Sequence, residues 1–319
     1  MTSIGFGTWS WGNKLLWGYK SEKHDDLLEE TFQTAIEEGL TLIDTADSYG
    51  TGRQKGKSEE LLGRFINNLP SSKKKHITLA TKLAPFPWRI GRKGLHQAFF
   101  ESKARLKGKL NRVQLHWSTY KYAPWQEIQL IDGLGDLLEK GHIFEIGLSN
   151  IGPNRLMYIY KRLIKRKIRI KSIQVQLSLL SPQIDKYFIL KEICNELGIE
   201  ILAYSPLAFG LLTLPPNIDG ISSTLLRESI YKRLLPSSKE IRSKIEQISN
   251  SRDVSRSQVA LNWCRSHGAI PIPGIRTPIQ AKEAASAKKW ELSETEVYEL
   301  DKLSKACKIK MPNNPFQSD

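Results

Sequence analysis

The sequence is poor in cysteine, short of acidic residues and free of long apolar runs. Its three cysteines, Cys194, Cys264 and Cys307, lie far apart, without the spacing of a disulfide framework or a zinc site. No stretch approaches the roughly 20 apolar residues that span a bilayer, and the first residues lack a secretory signal pattern. We therefore expect a cytoplasmic chain with no bound metal and no membrane partner.

Acidic residues number 33 against 48 Lys and Arg, which gives a net charge of +15. This charge predicts either a nucleic-acid or membrane partner, or a basic surface together with a site for an anionic ligand. The densest basic cluster, residues 161–169, shares its segment with the apolar stripe of an amphipathic helix. Because no nucleic-acid-binding motif accompanies the cluster, we expect a solvated helix face and no nucleic-acid partner.

Eight short β-rich runs recur along the chain, mostly apolar on consecutive residues, as strands buried on both faces should be. These runs are Ile4–Trp9, Leu40–Asp44, Ile77–Lys82, Val113–Trp117, Ile146–Ser149, Ile173–Leu177, Ile199–Tyr204 and Ala269–Pro273. Segments with helical periodicity separate them, which favours parallel strands. Eight such units predict an α/β fold of the (β/α)8 TIM-barrel type, and no GxGxxG motif supports an open dinucleotide-binding sheet instead.

The gap before the last run is much longer than the others. It contains an insertion, Pro206–Ser238, which predicts a long loop after strand 7 on the catalytic face. A helix is expected at the C-terminal end. No linker divides the chain, so the sequence predicts one barrel domain over residues 1–319.

Polar residues stand at three neighbouring strand ends, where barrel enzymes carry their chemistry. Strand 2 ends in Asp44, with Tyr49 in the segment that follows, strand 3 ends in Lys82, and strand 4 ends in His116. Taken one at a time, Asp44 could cap a helix, Tyr49 could be a loop aromatic, Lys82 could extend into solvent, and His116 could be a core imidazole. Together they predict proton donation to an oxyanion: an ammonium lowers the pKa of a nearby tyrosine, an acid holds the lysine, and the histidine orients a carbonyl oxygen.

The turn after the last strand predicts an anion site. Thr277 at the N-cap, Pro278 at N1 and Gln280 at N3 form a capping-box pattern. The free N–H groups of the helix attract anions, and Arg276 adds a charged donor. The alternative is simple capping beside a solvated arginine.

The sequence resembles the aldo-keto reductases over about residues 4–305, most of all their cyanobacterial and plastid branch. The motifs that carry this resemblance are Gly5–Gly12, Asp44–Gly50, Ser58–Gly63, Ala80–Lys82, Gln114–Trp117, Gly147–Asn150, Ala203–Leu207 and Pro271–Gly274. The family's catalytic tetrad falls on Asp44, Tyr49, Lys82 and His116, with all four residue types intact.

The resemblance implies a nicotinamide cofactor extended across the barrel mouth. Ser149, Asn150 and Gln174 should hold its carboxamide, and Tyr204 should stack on the nicotinamide ring. The other implied cofactor positions are Gly7, Thr8, Trp9, Ser205, Pro206, Leu207, Gly274, Arg276, Thr277, Gln280 and Glu283. NADP is favoured over NAD, because NAD would leave Arg276 without an anionic partner.

The function expected from these residues is NADPH-dependent reduction of an aldehyde or ketone, with Tyr49 as the proton donor. Plausible walls of the substrate pocket are Trp9, Trp11, Trp88 and Trp117. Two alternatives stay open: an NADP-binding regulatory or sensor protein with little turnover, and a Schiff-base aldolase that uses Lys82. The partner is a small carbonyl compound, and a monomer is expected.

The sequence departs from the family pattern in four places, two of them residue pairs. Ala284 replaces a frequent Asn, Leu214-Pro215 replaces a Gly-Lys pair, Ile173 replaces an Asn, and Gln176-Leu177 replaces a pair that ends in Tyr. The first two affect cofactor contacts, and none of the four touches the tetrad.

Overall fold

The strands of this protein form one eight-stranded sheet. The computed structural model describes residues 3–52, 55–108, 110–181, 184–218 and 224–318. The strands are β1 Phe6–Gly7, β2 Leu42–Asp44, β3 Thr78–Leu83, β4 Arg112–Leu115, β5 Glu145–Ser149, β6 Ile170–Gln176, β7 Glu200–Tyr204 and β8 Ile270–Ile272. They follow one another in chain order, and Gly7 also forms a parallel bridge to Gly274, just after β8. This order confirms the predicted (β/α)8 barrel.

Helices alternate with the strands. They are α1 Lys14–Trp17, α2 Ser21–Glu37, α3 Lys57–Asn68, α4 Ser71–Lys74, α5 Gly91–Arg105, α6 Pro124–Glu139, α7 Pro153–Ile164, α8 Ile184–Leu197, α9 Leu225–Leu234, α10 Lys239–Arg252, α11 Arg256–Ser266, α12 Pro278–Ser286 and α13 Glu294–Ala306. Helix α13 is the predicted C-terminal helix. None of the described helices is both long and apolar enough to cross a membrane.

The chain separates into two compact units. We call Thr41–Val175, Asp185–Leu202 and Asn314–Asp319 the central unit, and Met1–Leu40, Gln176–Ile184 and Ala203–Asn313 the terminal unit. The prediction of one domain over residues 1–319 stays a prediction.

Parallel pairing fixes which side chains are neighbours in the central unit. Lys82 of β3 lies opposite Gln114 of β4, and Ser149 of β5 lies opposite Gln174 of β6. The strand interiors bury consecutive apolar residues completely, among them Ile43, Leu79, Val113 and Ile146. Each such side chain contributes about 1.5–3 kcal/mol through removal of apolar surface from water. This packing gives the polar strand ends a rigid base.

Two sequence predictions need correction at the strand level. Strand β4 ends at Leu115, so His116 and Trp117 lie in the following loop. The insertion Pro206–Ser238 is not a plain loop. Its described part contains a 3₁₀ segment, Ala208–Thr213, and α9, which buries Tyr231 and Leu234; residues 219–223 lie outside the described ranges. These buried side chains give the insertion a packed face.

A third correction concerns α8. The sequence marked this helix by Ile189, Ile193 and Leu197, but its buried residues are Tyr187, Leu190 and Cys194, and Ile189 is 55% exposed. Apolar residues occur around most of the helix, so periodicity predicted the helix but not the face that packs.

The basic cluster at the end of α7 is partly neutralised. Of the predicted apolar stripe of this helix, Leu156, Ile159 and Leu163 are buried, whereas Ile164 is exposed. Arg162 pairs with Asp132, with 2.5 Å between N and O, and Arg166 pairs with Asp136 and Glu139 at 2.7 Å each. The two arginines therefore bind acids of α6 and are not simply solvated.

Candidate active site

A buried carboxylate, Asp44, is the centre of a polar network in the central unit. Its Oδ2 lies 2.5 Å from the Lys82 ammonium. Its Oδ1 accepts bonds from the side-chain amides of Gln114, at 3.0 Å, and Gln174, at 2.8 Å. Parallel strands bring these four residues to one edge of the sheet, because each stands at or near a carboxyl end. The network fixes the carboxylate and, through it, the lysine.

Lys82 is held as an ammonium ion. It is only 1% exposed, and its Nζ also donates to the backbone oxygen of Thr45 at 2.9 Å. Burial by itself lowers the pKa of Lys82. The charges of Asp44 and Tyr49, with their hydrogen bonds, more than offset this, so the pKa is raised above its ordinary value. Lys82 therefore keeps its positive charge at neutral pH.

Tyr49 and His116 are the reachable half of the tetrad. Both are partly exposed, whereas Asp44 and Lys82 are buried. The two rings meet edge to face with centroids 5.9 Å apart, and the Lys82 Nζ lies 4.9 Å from the centre of the Tyr49 ring. The structure thus brings the four predicted catalytic residues together, and only the phenol and the imidazole can touch a solute.

Both reachable groups are neutral near pH 7. Burial raises the pKa of Tyr49, and although Lys82 lowers it, the net shift is upward. The sequence predicted the lysine's contribution correctly but underestimated the loss of water around the hydroxyl. Burial, followed by the Lys82 charge, holds the pKa of His116 well below 6.5. A phenol with its proton and an uncharged imidazole are therefore presented side by side.

Asp47 holds the loop that carries Tyr49, a role that the sequence did not predict. Its carboxylate pairs with Arg89 and accepts from the Ala84 amide at 3.2 Å. Burial raises the pKa of Asp47 to about 6, although the charge of Arg89 lowers it. A cavity of about 230 Å³ adjoins this pair, and charged residues of both signs line it. It lacks the mostly apolar lining typical of small-molecule sites.

Asn150 is fixed through its side-chain amide. It directly follows Ser149, the last residue of β5, and has a left-handed backbone with φ 57°. Its Nδ2 donates to the His116 backbone oxygen at 3.0 Å and to Ser149 Oγ at 3.2 Å, and its Oδ1 accepts from Asn314 Nδ2 at 2.9 Å. Asn150 is therefore linked to the loop that carries His116.

Residues 314–318 pack against the loops after β4 and β5. Phe316 stacks on Trp117 with centroids 4.3 Å apart, and the Ser318 amide donates to the Asn150 backbone oxygen at 3.1 Å. Sequence analysis missed this segment, because it has neither periodicity nor a motif. Trp11 also differs from the expectation of a pocket wall: it is fully buried and donates to the Ile275 oxygen at 2.8 Å.

The other predicted cofactor residues lie in the terminal unit. Gly7 and Gly274 form the bridge between neighbouring strands, and a Cβ at Gly7 would come within 3.3 Å of the Ile272 oxygen. Thr8 is fully buried, and the Trp9 ring lies 5.9 Å from that of Phe209. Beyond β7, the predicted positions are Tyr204, which ends that strand, Ser205, which has a positive φ of 52°, Pro206 and Leu207.

The start of α12 departs from the predicted capping box. Thr277 does cap it, because its Oγ1 accepts from the Gln280 amide at 3.3 Å, and Pro278 occupies the first turn. The Gln280 side chain, however, accepts from the Arg276 amide at 2.8 Å, one residue before the cap. This bond folds Gln280 over the backbone of Arg276. Glu283, also predicted to bind cofactor, accepts from Ser257 Oγ at 2.6 Å.

Comparisons with known proteins agree with this fold. A structure from Klebsiella pneumoniae, an aldo-keto reductase in complex with NADPH, superposes with a TM-score of 0.72 at 25% identity, over 99% of this chain and 94% of that one. The glycerol dehydrogenase of Gluconobacter oxydans has the same fold, with a TM-score of 0.77 at 23% identity, over 98% and 94% of the two chains. Both likenesses define the class of fold, a (β/α)8 barrel.

The family is equally clear. Residues 3–305 match the aldo/keto reductase family. The chloroplastic pyridoxal reductase of Arabidopsis thaliana is 41% identical over 321 residues, which cover 100% of this chain and 87% of the relative. This chain belongs to the aldo/keto reductase family, and it is an oxidoreductase.

Proposed function

We propose that this protein uses NADPH to reduce the carbonyl group of an aldehyde or ketone to an alcohol. The observation that carries the proposal is the protonated phenol of Tyr49, a partly exposed side chain, beside the buried ammonium of Lys82. A tyrosine at its ordinary pKa is a weak acid. The ammonium stabilises the phenolate that forms when Tyr49 gives up its proton.

Each tetrad residue then has one task. Bound NADPH supplies the hydride. Tyr49 protonates the carbonyl oxygen as negative charge develops on it, and Lys82 stabilises the resulting phenolate. Asp44, with the two glutamines bonded to it, keeps Lys82 charged and in place. The neutral His116 orients the carbonyl oxygen through a hydrogen bond from its ring.

The terminal unit fits the phosphates of NADP(H). Arg276 is half-buried, and it makes no ion pair with an acid among the described residues. Next to it stands the start of α12, and the positive end of a helix dipole favours anions. The Klebsiella relative with bound NADPH supports the same cofactor.

For the substrate, we propose a small aromatic aldehyde, with pyridoxal as the first candidate. The support is the 41% identity to a pyridoxal reductase over the whole chain. A cytoplasmic location and a monomeric state stay predictions; the relative just named is a chloroplast protein.

The aldolase alternative gains no support from the geometry. A Schiff base needs an uncharged amine, but the ammonium of Lys82 is buried, bonded to two oxygens and raised in pKa. A sensor protein with little turnover would share the cofactor residues, and turnover is what separates it from a reductase.

A carbonyl panel tests the proposal. We expect pyridoxal and other aldehydes to consume NADPH, seen as loss of its absorbance, and to do so faster than with NADH. Borohydride added with an aldehyde alone should leave Lys82 unmodified in a peptide map. NADPH binding without turnover on any carbonyl would favour the sensor, and reductive labelling of Lys82 would favour the aldolase.

A further inference from the structure

Two arginines and a tryptophan form a cluster within the terminal unit, which we call the Trp17 cluster: Trp17, Arg227 and Arg276. Trp17 ends α1, Arg227 lies in α9, and Arg276 follows β8. The guanidinium carbon of Arg227 lies 4.5 Å from the Trp17 ring centre, and that of Arg276 lies 5.5 Å from it. Three separate parts of the chain thus place two positive charges on one aromatic ring.

The charges of the cluster are not balanced by the described acids. Neither Arg227 nor Arg276 has a side-chain nitrogen within 4.0 Å of a carboxylate oxygen of the described residues. Burial lowers the pKa of Arg276, and the charge of Arg227 lowers it further, so the two cations repel each other. Contact with an aromatic face compensates for only part of this repulsion.

Hydrogen-bond donors in the cluster also lack acceptors. The Nε–H of Arg227 and the Nε1–H of Trp17 are buried and have no partner among the described residues. A buried donor without an acceptor destabilises the protein, because it has lost its bond to water. An anion that only accepts hydrogen bonds would remove both costs, the repulsion and the missing bonds.

Arg227 is held in place by one nitrogen of its guanidinium group. Its Nη2 donates to the Phe209 backbone oxygen at 3.0 Å, and Tyr231 donates to the same oxygen at 2.8 Å. Gly210 leaves the space for this, because a Cβ there would lie 3.1 Å from Arg227 Nη2. The guanidinium is thus positioned by its Nη2, while its Nε is left to bind something else.

We propose that Arg227 is a second cationic ligand, beside Arg276, for a phosphate group of NADP(H), and that Trp17 adds a neutral donor. This inference rests on the proposed function, since it assumes that the protein binds that cofactor. Phosphoryl oxygens are the shared chemistry of the 2′-phosphate and the diphosphate, and the comparison of NADPH with NADH tells them apart.

The test is equilibrium binding of NADPH and NADH, followed by cofactor fluorescence, to wild type and Arg227→Ala at low and high salt. A lost charged hydrogen bond of about 1.5–3 kcal/mol corresponds to about 10- to 150-fold weaker binding of NADPH. The loss should shrink as salt rises. Loss for NADPH alone assigns Arg227 to the 2′-phosphate, and equal loss for both cofactors assigns it to the diphosphate.

Arg233→Ala is the matched control, because Arg233 lies in the same helix and is exposed. It removes the same charge and should change affinity less than about twofold. Arg227→Lys keeps the charge and should recover part of the affinity. Trp17→Phe keeps the ring and removes the donor, which predicts about 2- to 10-fold weaker binding.

Equal affinities of Arg227→Ala and Arg233→Ala would overturn the assignment. If Arg227→Ala does not fold, NADPH affinity is measured in Trp17→Phe and Arg227→Lys instead. Wild-type affinity in both of these variants would also overturn the assignment. Wild type that binds neither cofactor would instead refute the proposed function, and this assignment with it.

Discussion

The two polar regions of this protein are built on opposite principles. Around Asp44, in the central unit, the carboxylate has a lysine and two amide donors, and the charges cancel. In the Trp17 cluster, within the terminal unit, two cations stand together and buried donors lack acceptors. The ionic charges of the first region are balanced within the protein, although Gln114 Oε1 is buried without a partner among the described residues. The second region carries two positive charges that an anion would neutralise. A rigid reaction centre and a ligand-dependent phosphate site explain this difference.

The largest effect should be on the free energy of unfolding. Asp44→Leu leaves the buried Lys82 ammonium without its carboxylate and two amides without their acceptor, so it should destabilise the fold by about 3–5 kcal/mol. Arg276→Leu breaks no ion pair of the described residues and should stay within about 0.5 kcal/mol of wild type. Denaturant unfolding without cofactor measures both. Equal losses would mean that the two regions do not differ as argued.

Cofactor affinity, in contrast, should depend more on the Trp17 cluster than on the region around Asp44. Arg276→Ala removes one charged donor and should weaken NADPH binding by about 1.5–3 kcal/mol, or about 10- to 150-fold, with little effect on NADH. Titration of both cofactors against wild type and variant gives the numbers. Should the two cofactors lose affinity equally, Arg276 does not bind the 2′-phosphate.

The smallest effect concerns pH. The folded-state pKa of His116 lies below its unfolded value near 6.5, so folding disfavours protonation. Its contribution to stability is complete above pH 6.5 and is lost as pH falls, by up to about 1.4 kcal/mol per pH unit. His116→Asn, which keeps a polar atom near Ser48 Oγ, should lack this dependence. Parallel stability profiles below pH 6.5 would show that His116 is not held neutral by the fold.

Sequence reasoning placed the four predicted catalytic residues at one end of the sheet, because strand order follows from alternating strand and helix. Asp44, Lys82 and His116 stand at or next to strand ends, and Tyr49 lies in the loop after β2. Sequence reasoning could not reach contacts that depend on how distant segments pack. Gln114 was visible as part of a motif, but its bond to Asp44 depends on the register of β4. Arg227 lay in an insertion expected to be a loop, and residues 314–318 carry no pattern at all.

The direction of the pKa shift of Tyr49 also depends on packing that the sequence does not show. The identity of a neighbouring charge can be predicted from strand order, and Lys82 does lower the pKa of Tyr49. The amount of water removed from the hydroxyl depends on the packed loops around it. Because burial is the larger cause, the direction of the net shift could not be predicted from the tetrad residues alone.

We expect Tyr49 to deliver the proton, which a single-turnover measurement can show. Enzyme with bound NADPH is mixed with saturating pyridoxal, and cofactor oxidation is followed in wild type and Tyr49→Phe. NADPH affinity, measured separately, should be equal in the two proteins. If Tyr49 is the proton donor, cofactor oxidation should be about 10²- to 10⁴-fold slower in the variant, because general acid catalysis usually contributes that factor. Equal single-turnover rates at equal cofactor occupancy would contradict that role.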